Sequence, residues 1–306
     1  MLVAQDGLHR LHLASCCKHT GCQRAPPTVR ASELDASLPV EPTNRLLERI
    51  TGSVHLGAAL QVVFTISFSR NTFFMIRFGL YNDAVPEALA QQIIGMSARY
   101  TTDLAMDACP PDHPLYLISQ IYLQFEIHAY LSAIGQPGGG NGEVLVAFDD
   151  DEHPGLLIGF LLYMPLTGSQ DHCGVNYGAV HEGFRGRGIY SALIHHMLQR
   201  YPSATLTCFV ESVPLYERLG FKVEMARSSQ VQMFSSPAPN GMRMPVMDMS
   251  RIEDHPVVIQ ARKDLIATHG TEIIDRAYRE ADDRIKALCL KAETYVAKRL
   301  GSHAPA

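Results

Sequence analysis

Ala179-Val-His-Glu-Gly-Phe-Arg-Gly-Arg-Gly-Ile-Tyr190 is the stretch that decides how this chain is read. It joins a segment with strand alternation, residues 173–180, to one patterned as a helix from residue 189 to about 201. A helix N-terminus leaves backbone N–H groups without intrahelical partners and carries partial positive charge, so it can hold a pyrophosphate. Gly186 and Gly188 let the backbone approach such an anion where side chains would block it, and Arg185 and Arg187 add charge. A glycine-rich turn with two solvated arginines is the plainer alternative, and the dodecapeptide alone leaves both open.

Two other phosphate loops fit less well. A P-loop needs a Gly-Lys-Ser/Thr ending that is missing here. Gly186-Arg-Gly188-Ile-Tyr-Ser191 imitates the start of a dinucleotide fingerprint, with Glu211 at about the distance at which an acid meets a ribose. The third glycine is absent, however, and Gly186 follows Val180 too distantly for a tight turn. A nucleotide-binding, Rossmann-like oxidoreductase is therefore the runner-up.

The second informative segment is Val213-Pro-Leu-Tyr-Glu-Arg-Leu-Gly-Phe221, after the next predicted strand, residues 204–210. Taken together, the two segments resemble the GNAT superfamily of acyl-CoA-dependent N-acyltransferases: its pyrophosphate loop, Arg/Gln-x-x-Gly-x-Gly/Ala, and its downstream Leu-Tyr-Glu-x-Leu-Gly-Phe helix and strand. The resemblance covers residues 73–234. It implies an α/β (α+β) fold with a mixed, mostly antiparallel central sheet flanked by helices, here with a C-terminal helical extension. It further implies an N-acetyltransferase that uses acetyl-CoA as donor and a small-molecule or protein amine as acceptor, without a metal. Carried over residue by residue, backbone groups around Val180 would pair with the pantetheine arm, and Arg185, Gly186, Arg187, Gly188, Ile189 and Tyr190 would wrap the pyrophosphate. Tyr190 stands where the family has a small residue, so its ring must point away from the phosphate. Tyr216 matches the tyrosine that protonates the departing thiolate in many members; an amphipathic core residue on a short helix is the other reading.

No general base stands out. Members of the family often carry a glutamate on the strand before the loop, and residues 173–180 contain no carboxylate. Glu126, His128, Asp171, His172, His181 and Glu182 are the candidates, and no spacing singles one out. A CoA-binding module that has lost catalysis is the alternative this gap suggests.

Outward from the motifs, the chain divides into three zones. Residues 1–72 lack sustained apolar periodicity and are expected to form a poorly ordered leader. His9, His12, Cys16, Cys17, His19 and Cys22 cluster there without the spacing of a closed zinc site. The acetyltransferase domain is expected over 73–234, with a strand at 73–80, a helix after Pro86, an almost wholly apolar helix at 115–134, and a hairpin at 143–148 and 155–164. A final strand region is expected at 221–234. Residues 235–306 hold a Pro/Met-rich linker and two helices, after Pro256 and Gly270. Ile274, Tyr278, Ala281, Ile285, Leu288, Ala292 and Tyr295 form a seam on the second of these, suited either to the chain's own core or to a homodimer.

Composition narrows the partners. A net charge of −5 and the absence of a basic stripe speak against nucleic acid. The most apolar run, residues 54–68, is broken by His55, Gln61, Thr65 and Ser67, so no membrane span is expected. Seven scattered cysteines suit a reducing, cytoplasmic compartment, although Arg10, Lys18, Arg24 and Arg30 also fit an organellar transit peptide.

Overall fold

The runs Val-Leu-Val-Ala-Phe at 144–148 and Leu-Leu-Ile-Gly-Phe-Leu-Leu-Tyr-Met at 156–164 have no polar face, which suits strands buried on both sides. They form the middle of the sheet. The computed structural model describes residues 28–29, 60–68, 72–138, 141–151, 153–237, 246–247, 249 and 252–301. The histidine and cysteine cluster at residues 9–22 lies outside the described residues, as does most of the expected leader.

The strands in chain order are β1 (Thr28–Val29), β2 (Leu60–Phe68), β3 (Thr72–Tyr81), β4 (Glu143–Asp149), β5 (Leu156–Pro165), β6 (His172–Val180), β7 (Ser203–Cys208), β8 (Lys222–Arg227), β9 (Gln230–Phe234) and β10 (Val246–Met247). The helices are α1 (Glu87–Arg99), α2 (Thr101–Leu104), α3 (Tyr116–Ala133), α4 (Ile189–Arg200), α5 (Val213–Arg218), α6 (Pro256–His269) and α7 (Thr271–Leu300). β2 to β9 make one sheet in the order β2-β3-β4-β5-β6-β7-β9-β8, and β1 pairs with β10 separately. Within the large sheet every neighbouring pair is antiparallel except β6 with β7. The sheet is thus mixed and mostly antiparallel, as the resemblance implied.

Two details differ from the sequence reading. The sheet gains β2, whose Leu-Gln-Val-Val-Phe-Thr-Ile-Ser-Phe is rich in β-branched and aromatic residues, the composition of a strand rather than of a leader. The region 221–234 is not one strand but the hairpin β8–β9. Its turn lacks glycine because Ser228 itself takes the left-handed backbone, φ 55°, so no turn residue announces it.

One face of the sheet packs on α4, where Leu193, Ile194 and Met197 meet Ile158, Leu161 and Tyr163. The other face packs on α1 and α3 through Ile93, Ile127, Leu131, Phe160 and Leu162. α3 is apolar nearly all round because a second layer covers its far side, where Ile118, Ile121 and Phe125 meet α6 and α7. The seam on α7 is occupied by its own chain: Ile274, Ala277 and Ala281 join that second layer, and Ala292 and Val296 join the sheet cluster. A straight helix drifts by about 20° per heptad, so a strict four-three count slides off the buried stripe, here onto Ala277 and Val296.

One buried carboxylate ties three elements together. Glu143 on β4 accepts from Tyr163 (2.7 Å), Tyr201 (3.0 Å), and Arg200 through Nε (2.9 Å) and Nη2 (2.7 Å). A buried ion needs such complete pairing. The C-terminal end of α4 is thereby fixed to the middle of the sheet.

Candidate active site

The site arises from the one parallel pair of the large sheet. β6 and β7 meet only at His172↔Ser203, Cys173↔Ala204 and Gly174↔Thr205, and then diverge. The gap is a cleft of about 1320 Å³, lined by residues 174–180 on one side and 205–209 on the other. Against β5 the His181 N–H donates to the Ile158 carbonyl at 2.9 Å. Antiparallel alternation then turns the peptide groups of Gly178 and Val180 away from β5 and towards the cleft. Arg185 Nε donates to the Val180 carbonyl at 3.1 Å, and the neighbouring peptide groups of this edge face ligand space.

The anion loop closes the wide end. Gly186 (φ 78°) and Gly188 (φ 72°) both use left-handed backbone. Gly188 is the N-cap of α4 and offers no side chain to the first amides of the helix. Gly186, Gly188, Ile189, Tyr190 and Arg185 line the cleft. Arg185 stacks over the Tyr100 ring at 4.5 Å and lies 3.6 Å from Asp103. Arg187 turns aside, over Phe184 at 4.8 Å, and donates to the Gly183 carbonyl at 3.1 Å.

Tyr216, on α5, comes within 2.8 Å of the Tyr190 hydroxyl, with the rings edge to face. Burial, and then Tyr190, hold the Tyr216 phenol well above its ordinary pKa; burial pushes Tyr190 up to about 12. The family's small residue can be a tyrosine here because Gly178 makes room. A Cβ at Gly178 would lie 2.9 Å from the Tyr190 ring and 3.0 Å from its hydroxyl.

Among the six candidate bases only Glu126 lines the cleft, where the Tyr177 hydroxyl is hydrogen-bonded to it. His181 caps its own turn, accepting from the Gly183 N–H at 3.2 Å. Glu182 accepts from Tyr100 and pairs with Arg99 at 3.2 Å. His172 is buried at the closed end of β6, Asp171 is exposed beside it, and His128 reaches Ser132 at 3.4 Å.

A further wall of the cleft is built from residues that no motif marks. The Ser229 hydroxyl donates to the Met106 carbonyl at 2.7 Å, joining the β8–β9 turn to the segment after α2, where Met106 lines the cleft. Gln230, Gln232 and Arg227 of the hairpin and Arg284 and Leu288 of α7 complete that wall. His113 lies nearby: burial first, with the Arg284 charge a lesser contributor, lowers its imidazole pKa.

Residues 104–221 match the family described as "Acetyltransferase (GNAT) family", and this segment is a GNAT acyltransferase domain. Among solved structures, the chain is similar to a histone acetyltransferase HPA2 and related acetyltransferase from Corynebacterium glutamicum, at 19% identity over 52% of this chain and 96% of that one, TM-score 0.35. It is similar to the NatC complex bound to Gag peptide and CoA at 16% identity over 53% and 99%, TM-score 0.34. A GNAT family acetyltransferase from Elizabethkingia anophelis with acetyl-CoA bound matches at 15% identity over 31% and 76%, TM-score 0.27. At such scores the likenesses carry no inference about substrate. No curated protein matches the sequence significantly. Among the described residues no helix is long and apolar enough to cross a membrane.

Proposed function

We propose that this protein transfers an acetyl group from acetyl-CoA to an amine. The observation that carries this reading is the splayed β6–β7 pair, which opens a strand edge, a helix start and a buried phenol onto one cleft. The amides at Gly188, Ile189 and Tyr190 point where a pyrophosphate would be held, and Arg185 supplies charge beside them. The Gly178 and Val180 edge is suited to an extended amide chain such as pantetheine, and its N–H groups to an oxyanion at the thioester carbonyl.

The reaction needs a neutral amine to attack that carbonyl, the carbon–sulfur bond to break, and the thiolate to be protonated. Glu126, on the cleft wall, receives the amine's proton. Tyr216 gives its phenolic proton to the sulfur. A free phenol and a free thiol differ by about 1.5 pKa units, or about 2 kcal/mol, and burial of Tyr216 widens that gap. The Tyr190 hydroxyl, 2.8 Å away, shares a hydrogen bond with the Tyr216 phenol and fixes its direction. Tyr190 is thus a positioning residue for Tyr216.

Calorimetric titration with CoA, followed by thiol release from acetyl-CoA over a set of amines, tests the reading. CoA binding with amine-dependent thiol release is expected. Absence of CoA binding sinks it, and binding without release from any amine leaves a silent CoA-binding module in its place.

A further inference from the structure

Two polar atoms of opposite kind are buried without hydrogen-bond partners among the described residues: Arg284 Nε and Asn176 Oδ1. Both residues line the cleft. Of the other cations lining the cleft, Arg185 lies by Asp103, Arg227 donates to Gln232 and Lys291 pairs with Glu211, while Arg218 is exposed to solvent. Arg284 has neither hydrogen bond nor ion pair among the described residues, and it is half-buried. Its buried Nε–H lacks an acceptor, which an anion bound beside it would supply. Asn176 is the residue left over by the bulge in the β5–β6 pairing, where Leu162↔Tyr177 is followed by Tyr163↔Val175. Its side-chain oxygen wants a donor.

Resting on the acyl-transfer reading above, we propose that the acceptor is a small molecule carrying both an amine and an anionic group, carboxylate or phosphate. Arg284 binds the anion, bidentately in the manner that suits a guanidinium, and Asn176 Oδ1 orients the amine. The Ser229–Met106 bridge sets the size limit, because a large acceptor would have to break it. Arg284 lies on α7, outside the segment 104–221 that matches the family, so this specificity belongs to the chain's own C-terminal extension.

The test uses the full chain and amine pairs matched except for the anionic group: amino acids against their carboxamides, and phosphoethanolamine against ethanolamine. CoA affinity is measured by calorimetry and acceptor use by thiol release. The expected result is a preference of roughly 10- to 100-fold in kcat/KM for the anionic member of one pair type, which also tells carboxylate from phosphate. Arg284→Gln should erase that preference through KM, Arg284→Lys should restore part of it, and CoA affinity should stay as in wild type. Equal use of charged and neutral partners, or no use of any anionic member by a chain that binds CoA, overturns the proposal. A loss of CoA affinity in Arg284→Gln also overturns it, by moving Arg284 to the donor. A wild-type chain that binds no CoA sinks the underlying acyl-transfer reading instead. If Arg284→Gln does not fold, the wild-type preference decides alone.

Discussion

At the wide end of the cleft, one continuous run of sequence from β6 through the glycine loop to α5 supplies the strand edge, the helix start and the phenol pair. Elsewhere along the cleft, Met106, Glu126 and Arg284, with Ser229 bonded to Met106, come from four separate elements and meet only through the folded chain. The wide end offers backbone groups, which tolerate substitution except where a side chain intrudes. The rest of the wall offers side chains, each replaceable one at a time. On the acyl-transfer reading proposed above, such an arrangement would keep the donor constant and leave the acceptor open to change.

The sharpest way to break this contrast is at Gly188. Its φ of 72° makes most replacements strained on the backbone alone, so asparagine and aspartate, which tolerate that region, are the informative pair. Gly188→Asp should lower CoA affinity by about 100-fold or more by setting a carboxylate against the pyrophosphate, and Gly188→Asn by far less. Equal affinities in calorimetry would mean that the loop does not face the phosphates.

Next in size is Tyr216→Phe. General-acid help is typically worth about 10²- to 10⁴-fold, so turnover should fall by roughly 100-fold. The Tyr190 hydroxyl is also left buried without its partner, which should cost about 1 kcal/mol of stability. Tyr190→Phe together with Tyr216→Phe should recover part of that loss, because neither phenol is then stranded. Kinetics beside melting curves separate the two effects; turnover like wild type would make Tyr216 a packing residue.

Ser229→Ala probes the side-chain wall. Loss of the bridge to Met106 should raise KM for the acceptor a few-fold and leave CoA affinity alone, with stability reduced by about 1 kcal/mol. An equal change in CoA affinity would show that this wall and the wide end are not independent.

The smallest effect is on pH dependence. Burial lowers the pKa of His113, His181 and His196 below the ordinary value of 6.5. The folded chain therefore takes up fewer protons than the unfolded one as pH falls through that value. Stability present above it should decline below it, until the folded pKa values are passed. A melting temperature that rises from pH 7 to pH 5.5 would contradict this sign.

The donor end was legible because glycine has few reasons to recur at Gly186 and Gly188 and because the second motif follows at fixed spacing. The acceptor end was not, since nothing local marks Met106 or Arg284. Even Glu126 was one of six equal candidates until the sheet splay placed it on the cleft wall. The β8–β9 turn escaped because Ser228 does what glycine usually does. β2 escaped because its residues were weighed against a membrane span rather than as a strand. Tyr190 was recognised as out of pattern, but the space that admits it belongs to Gly178, which only the strand pairing brings opposite.

Glu143 touches neither end of the cleft, yet it governs the aim of one. α4 is 12 residues long, about 18 Å at 1.5 Å per residue, with Arg200 clamped to Glu143 at one end and the anion-facing amides at the other. A rod held at its far end keeps its bearing. Small rotations about Arg200 would be magnified along that length into misdirected N–H groups. The compass setting of the donor site is therefore kept by a carboxylate in the middle of the sheet, out of reach of anything the cleft binds.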